Sequence, residues 1–146
     1  MDEKEKIFIG VGAVVFRGED VLVIKRGKPP FLGKWSIPGG GLHYGERIED
    51  AVRREVREET GLEIDIIGLI DVFEAAPGSH GGEVSVHTLL IDYVAEWVSG
   101  EPQAGDDAAE AEFVDMDTAI ARFSWDKTRE ALLRAAEIRE AARKGS

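Results

Sequence analysis

Residues 40–62 have the sequence GGLHYGERIEDAVRREVREETGL, and this stretch carries the clearest pattern in the chain. Apolar residues recur at helical spacing between Ile48 and Thr60, which predicts an amphipathic helix. Gly61 follows, and glycine is the residue that most often ends a helix in the left-handed conformation. The segment before Ile48 is rich in glycine, which indicates a loop. The sequence therefore predicts a glycine-rich loop that leads into one sharply ended helix.

Three carboxylates share one side of this predicted helix. With Glu55 at angle zero, Glu59 lies about 40° to one side and Glu58 about 60° to the other. A clustered, partly sheltered set of carboxylates provides the oxygen ligands that Mg²⁺ or Mn²⁺ takes in octahedral geometry. The acidic arc also faces the protein body, because it holds apolar residues from the preceding turns: Ile48, Ala51 and Val52.

A solvated acidic helix is the alternative interpretation. Arg53, Arg54 and Arg57 would then satisfy the glutamates through surface ion pairs, each worth less than about 1 kcal/mol. Two features favour a functional site instead. The preceding glycine-rich loop carries Glu46, and the helix ends abruptly at Gly61, neither of which a merely solvated helix needs.

The segment resembles the Nudix box of the Nudix hydrolases, Gx5Ex7REUxEExGU, where U is a bulky aliphatic residue. Every fixed position of that box is filled. Arg47 departs from the family's frequent Ser or Thr near the helix start, which weakens a capping argument but affects no ligand. The matching residues are Gly40, Glu46, Arg54-Glu55-Val56, Glu58-Glu59 and Gly61-Leu62.

The resemblance implies a metal site on the helix and a loop that approaches it closely. The metal, Mg²⁺ or Mn²⁺, would be bound by Glu55, Glu58 and Glu59. Glu46 would assist as a further ligand or by contacting one of these ligands. Arg54 would orient Glu55 or Glu58 by a charge-assisted bond, unless it forms only a surface pair with Glu58. Gly40 would belong to the same site, since a glycine lets the backbone approach metal or phosphate.

The resemblance also implies hydrolysis of a nucleoside diphosphate linked to another group. The general base would be a glutamate of the box or a carboxylate of the later sequence GDDAAEAEF. Glu110 and Asp107 rank ahead of Asp106 and Glu112 there, and solvated loop charges are the alternative for each. The predicted substrate contacts, each with a structural alternative, are Lys25, Arg26, Trp35, His43 and Tyr44.

Length and composition exclude several classes of protein. The chain has 146 residues, which predicts a single domain over residues 1–146. The formal net charge of −11 argues against a nucleic-acid-binding surface and against a polybasic membrane patch. Cysteine is absent, which excludes disulfides and thiolate metal sites. No apolar run approaches about 20 residues, and the charged start MDEKEK lacks a signal sequence, so we expect a cytoplasmic protein.

The remaining sequence predicts a mixed β-sheet between helices, an α/β/α sandwich. A closing amphipathic helix over Asp126–Lys144 would place Leu132, Leu133, Ala136 and Ile138 on or near its buried side. Asp117 would cap a short helical turn before it. The segment Ala75–Gly82, which carries His80, predicts a loop that is a candidate lid. The predicted strands are Ile7–Arg17, Val21–Lys25, Trp35–Ile37, Glu63–Phe73 with a break at Gly68, Val84–Val98 and Ala111–Val114.

Three classes of function stay open. The first is a metal-dependent hydrolase of ADP-ribose or a related nucleoside diphosphate sugar, with pyrophosphohydrolysis of oxidised or normal nucleoside triphosphates as the enzymatic alternative. The second is a non-catalytic nucleotide-binding regulator of the same fold, and the third is an interaction protein with an incidental acidic helix. The expected partner is a small nucleoside diphosphate derivative rather than nucleic acid or membrane. Family resemblance alone suggests a homodimer.

Overall fold

The computed structural model describes residues 6–29, 31–79, 82 and 84–145. Within them the chain forms seven strands and three α-helices. The helices are α1 (Ile48–Thr60), α2 (Met116–Arg122) and α3 (Asp126–Lys144). The strands are β1 (Ile7–Arg17), β2 (Asp20–Arg26), β3 (Trp35–Ser36), β4 (Gly39–Gly41), β5 (Glu63–Ala75), β6 (His87–Ser99) and β7 (Ala108–Val114).

The strands form one mixed sheet with the order β3-β2-β1-β6-β5. β1 and β6 are parallel over ten residue pairs, whereas β5 and β6 are antiparallel. β4 pairs with the first half of β1, and β7 pairs with β2. The loop and helix α1 that follow β4 therefore start at the centre of the sheet.

Alternation along β1 separates two cores, one on each face of the sheet. Val11, Ala13 and Val15 face α1, and the intervening Val14 and Phe16 face α2 and α3. All five side chains are buried, which explains the nearly continuous apolar sequence of β1. The predicted α/β/α sandwich is confirmed.

The bounds of α1 and α3 agree with the sequence prediction residue for residue. Both have strong local signals, namely helical periodicity and, for α1, a glycine stop. The predicted break at Gly68 is a shift of register between Ile66 and Gly68. β4 was not predicted, because its sequence is three glycines and only its partner β1 makes it a strand. His80 lies outside the described residues.

Two details of the C-terminal half differ from the prediction. The N-cap of α2 is Asp115 rather than Asp117, since the Thr118 N–H donates to the Asp115 carboxylate at 2.8 Å. Leu133 is 51% exposed, because α3 buries the stripe that contains Leu132 and Ala135. Arg139 completes that stripe, and it is buried because Glu96 pairs with its guanidinium.

Among the residues described, no helix combines the length and the apolar character that crossing a membrane requires.

Candidate active site

Helix α1 carries the candidate site on its C-terminal half. Arg47 precedes the helix in extended conformation and makes no side-chain cap, as its departure from Ser or Thr implied. Gly61 ends the helix with φ of 75°, a conformation that favours glycine. The Gly61 N–H donates to the Arg57 carbonyl at 2.9 Å. The helix therefore stops one residue after the last acidic turn, and that turn meets the loops around it.

Three carboxylates from two distant segments meet beside α1. Oxygens of Glu55, Glu58 and Asp106 all lie within 4.8 Å of one another. Glu55 is buried, whereas Glu58 and Asp106 are exposed. Burial raises the pKa of Glu55, and the nearby charges of Glu58 and Asp106 raise it further. A set of three carboxylate oxygens at this spacing suits a hard divalent cation, which would relieve their mutual repulsion.

Arg54 ties this cluster to the preceding loop. Its Nη1 donates to Glu55 at 2.7 Å and to Glu58 at 3.2 Å. Its Nε and Nη2 donate to the two oxygens of Glu46 at 2.7 and 3.0 Å. Nη2 also donates to the Gly41 carbonyl at 2.9 Å. Arg54 is therefore far more than a surface partner of Glu58, and its guanidinium fixes the orientation of several acceptors.

Glu46 lies behind Arg54 rather than in the three-carboxylate cluster. The charge-assisted bonds from Arg54 lower the pKa of Glu46 to about 2. Its Oε1 also accepts from the His43 N–H at 3.1 Å. This geometry favours the indirect role for Glu46, in which it holds the arginine that orients the ligands.

Gly40 leaves the space that the Glu55 carboxyl group occupies. A Cβ atom at Gly40 would lie 2.4 Å from the carboxyl carbon of Glu55, well inside van der Waals contact. The sequence motif indicated a close approach of the backbone to metal or phosphate. The structure shows that the close approach is made to a candidate ligand.

Glu59 occupies a different environment from its two acidic neighbours. Its side chain is only 1% exposed, and its Oε1 accepts from the Gly39 N–H at 2.7 Å. Burial raises the pKa of Glu59 to about 8, despite the opposing effect of the Gly39 bond. The three-carboxylate cluster of the described residues contains Asp106 in the place where the sequence analysis expected Glu59.

The other two arginines of α1, Arg53 and Arg57, pair with acids outside the cluster. Arg57 donates to both oxygens of Glu63, at 2.7 and 3.0 Å. Arg53 pairs with Glu49 and Asp50 near the start of the helix. The interpretation of α1 as a merely solvated acidic helix therefore accounts for Arg53 and Arg57 only.

Asp107 and Glu110, ranked first among the later carboxylates, pair with lysines. Asp107 Oδ1 lies 3.1 Å from Lys28 Nζ, and Glu110 Oε2 lies 3.3 Å from Lys25 Nζ. Lys25 and Glu110 are opposite one another in the β2–β7 pairing. The structure instead brings Asp106 to α1. A signal existed in the sequence, since the glycine before Asp106 allows close backbone contact, but its partner was not identifiable from the sequence.

The predicted substrate contacts are distributed unevenly around the cluster. Arg26 is close enough for its charge to lower the pKa of Glu59. Trp35 packs on a buried core, and the Arg122 guanidinium covers its ring at 4.5 Å. His43 is exposed beside Glu46, and Tyr44 is fully exposed.

Comparison with known proteins identifies the family. The NUDIX domain model matches residues 6–136. An ADP-ribose pyrophosphatase of Methanocaldococcus jannaschii is 37% identical over 108 residues, which are 74% of this chain and 62% of that relative's length. A Mycobacterium tuberculosis protein provisionally named 8-oxo-dGTP diphosphatase 2 is 34% identical over 125 residues, covering 80% of this chain and 84% of the relative.

Solved structures that match the chain belong to the same family. The crystal structure of a MutT NUDIX hydrolase from Burkholderia pseudomallei superimposes with a TM-score of 0.74 at 29% identity, covering 89% of this chain and 98% of that one. Enzymes of this family generally use divalent metals, and the cluster of Glu55, Glu58 and Asp106 beside α1 is a set of residues that could hold one. On the family model, the relatives and the fold together, the chain belongs to the Nudix hydrolase family.

Proposed function

We propose that this Nudix hydrolase cleaves the diphosphate bond of a nucleoside diphosphate linked to a second group, with ADP-ribose or a related nucleoside diphosphate sugar as substrate. The observation that carries the proposal is that oxygens of Glu55 and Glu58 on the motif helix and of Asp106 in the loop after β6 lie within 4.8 Å of one another. The 37% identity to an ADP-ribose pyrophosphatase supports this choice of substrate class.

The donor set fits a magnesium or manganese ion. The three cluster residues offer only carboxylate oxygens, and two of them are open to solvent, so that waters can complete an octahedral shell. When bound, such an ion neutralises diphosphate charge and lowers the pKa of a coordinated water. Glu55, Glu58 and Asp106 would hold it.

The chain's own residues supply orientation and a proton acceptor. Arg54 keeps Glu55 and Glu58 directed toward one point, and Glu46 holds Arg54. Water attacks one phosphorus, the bond from that phosphorus to the bridging oxygen breaks, and the second phosphate leaves with the bridging oxygen. An exposed carboxylate of the cluster, Glu58 or Asp106, takes the proton of the attacking water. Glu59 acts differently, since its bond to the Gly39 N–H fixes β4 against α1.

The substrate's negative charge needs cations that the fold places near α1. Arg26 ends β2, and its charge reaches Glu59. Lys25 and Lys28 pair with Glu110 and Asp107, which reduces their attraction for phosphate. We assign a phosphate of the substrate to Arg26 because its charge reaches the acidic end of α1. The exposed His43 and Tyr44 lie in the loop before α1, within the variable part of the box, and are assigned to the outer part of the substrate.

Hydrolysis of oxidised nucleoside triphosphates is the second candidate function. The mycobacterial relative supports it, because the match covers 84% of that protein. Both substrate classes use the same cluster, so they differ only in what lies beyond the diphosphate.

A phosphate-release assay with Mg²⁺ or Mn²⁺ and an added phosphatase tests the proposal. The panel contains ADP-ribose, other nucleoside diphosphate sugars, and oxidised and normal nucleoside triphosphates. We expect ADP-ribose or a nucleoside diphosphate sugar to give the highest kcat/KM, with loss of turnover upon chelation and in Glu58→Gln. Glu49→Gln is the matched control, since Glu49 is an exposed acid of the same helix that pairs with Arg53 near the start of the helix. Preference for the oxidised triphosphate would establish the second candidate, and silence across the panel would contradict both.

The proposed partner beyond the substrate is a second copy of the chain. On the α1 side of the sheet, Ile9, Leu69 and Val72 are 40–51% exposed, and the partly buried Ile91 and Tyr93 lie between them. A contiguous exposed apolar patch on one face of a sheet is typical of a surface that binds another protein.

Light scattering tests this pairing. We expect the mass of a dimer for the wild-type chain and of a monomer for Val72→Lys. Val98→Lys is the control. Val98 is 54% exposed, but it faces the other side of the sheet, since the adjacent Trp97 packs on the α1 side and side chains alternate along a strand. A monomeric wild-type chain would contradict the assignment of this face to a second copy.

A further inference from the structure

The loop that follows β6 docks its backbone on the C-terminal end of α1. The Gln103 N–H donates to the Thr60 carbonyl at 3.0 Å, and the Gly105 N–H donates to the Glu59 carbonyl at 3.0 Å. Carbonyls in the last turn of a helix have no partner within the helix. Two of them are therefore satisfied by a segment more than 40 residues away in the sequence.

Gly105 makes this docking possible because it has no side chain. A Cβ atom there would lie 2.7 Å from the Glu58 carbonyl oxygen, a distance that real Cβ atoms essentially never show. The obstacle is a backbone atom of a helix, which cannot rotate away as the end of a side chain can. Any larger residue must move the loop, the helix end or both.

Asp106 follows immediately and returns toward the helix. Its φ is 51°, in the left-handed region that aspartate tolerates better than most residues. The Ala108 N–H donates to the Gly105 carbonyl at 3.0 Å and closes a tight turn around it. The Asp106 carboxylate thus arrives beside Glu55 and Glu58.

We infer that Gly105 is a positioning residue, which holds the Asp106 carboxylate in the three-carboxylate cluster by docking on the backbone of the helix that carries the other two. This inference rests on the proposed function, in which the cluster holds the metal. Gly105 touches neither metal nor substrate and acts only through Asp106. A purely structural role as a helix cap would make Gly105 matter for stability but not for metal affinity.

Mn²⁺ binding, measured by calorimetry and by the loss of the free-ion spin-resonance signal, tests the inference. The proteins are the wild type, Gly105→Ala, Asp106→Asn, the double variant and the control Gln103→Ala. The control removes an exposed side chain of the same loop and keeps its N–H. We expect Gly105→Ala and Asp106→Asn each to weaken Mn²⁺ binding about 10-fold or more. The double variant should bind no more weakly than Asp106→Asn alone, because both changes remove the same carboxylate.

Different results would overturn the inference in different ways. Additive losses would show that Gly105 acts independently of Asp106. A lower unfolding temperature with unchanged Mn²⁺ affinity would leave Gly105 a helix cap only. Unchanged affinity in Asp106→Asn would overturn the inference together with the ligand assignment of Asp106. Failure of the proposed function is separate, since it would appear as absent turnover in a wild-type protein that still binds Mn²⁺.

A second variant covers the case in which Gly105→Ala does not fold. Insertion of one glycine between Gly105 and Asp106 keeps the docked N–H of Gly105 and displaces Asp106. We expect the same loss of Mn²⁺ affinity, and wild-type affinity in the insertion variant would contradict the inference.

Discussion

Two loops press against the acidic half of α1, and they reach it in different ways. The segment before the helix, residues 39–46, contacts side chains of α1. Glu46 holds Arg54, and Gly40 admits the Glu55 carboxyl group. The Gly39 N–H donates to the Glu59 side chain. The loop after β6, residues 100–107, uses backbone N–H groups that bond to the last carbonyls of α1. The first loop is part of a contiguous motif, whereas the second shares no local pattern with it. One half of the site is therefore visible in the sequence and the other half depends on docking.

The largest expected effect is loss of a cluster carboxylate, one from each side of the comparison. Glu58→Gln removes a residue of the motif, and Asp106→Asn removes the residue of the distant loop. We expect each to lower kcat by about 100-fold or more, because each removes a carboxylate that we propose to hold the metal or to accept the proton of the attacking water. Steady-state kinetics with Mg²⁺ measures this. If Asp106→Asn retained nearly full kcat while Glu58→Gln did not, the second loop would have no part in the chemistry.

Gly40→Ala tests the close contact of the first loop with α1, as Gly105→Ala tests that of the second loop. A Cβ atom would lie 2.4 Å from the Glu55 carboxyl group, so either Glu55 or β4 must shift. We expect a loss of about 1–3 kcal/mol in the free energy of unfolding together with a clear fall in kcat. Urea unfolding and kinetics check the two effects. Gly45→Ala would be a poor control because φ at Gly45 is 79°, whereas Ala104→Gly changes an exposed position and should leave both quantities near wild type.

Arg54→Lys sharpens the comparison by weakening only the first loop. Lysine keeps the positive charge but cannot donate to Glu46, Glu55 and the Gly41 carbonyl at once. We expect kcat to fall by about 10–100-fold, the usual effect of removing a group that orients a ligand. Arg53→Lys, which alters a pair at the start of the same helix, is the matched control. Equal activities of the two variants would remove Arg54 from the orienting role.

The smallest expected effect is a pH dependence of stability that comes from Asp92, in the sheet beside the start of the first loop. Asp92 is 7% exposed next to Gly12, and burial raises its pKa to about 7. Its ordinary value is 3.8, so the folded state binds more protons than the unfolded state between these two pH values. The stabilising contribution is therefore complete below pH 4 and is lost as pH rises through about 7.

The measurement for Asp92 is urea unfolding at pH 5, 6, 7 and 8. We expect the wild-type free energy of unfolding to fall over this range by on the order of 1–2 kcal/mol more than that of Asp92→Asn. The two profiles should diverge most steeply below about pH 7 and become parallel above it, once the carboxyl is ionised in both states. Parallel pH profiles for the two proteins would show that the Asp92 carboxyl is not held protonated by the fold.

Most of the fold could be predicted because its signals are local. The 3.6-residue period and the glycine stop defined α1, and the branched apolar run defined β1. β4 could not be predicted, because three glycines have no strand preference and only pairing with β1 orders them. Leu133 was assigned to the wrong side of α3 because periodicity alone does not show that Arg139 takes a place in the buried stripe.

The family, the helix that carries the candidate ligands, Arg54 and the glutamates of the box were all predictable from the sequence alone. These residues lie within one helix and the loop before it, where spacing along the chain sets spacing in space. Other features became visible only in the fold. Glu59 is buried against the Gly39 N–H, and Asp106 joins the cluster while Asp107 and Glu110 pair with lysines. These contacts join segments that are far apart in the sequence, so they depend on which groups the fold brings within bonding distance. The sequence around each of these residues does not show which distant residue it will contact.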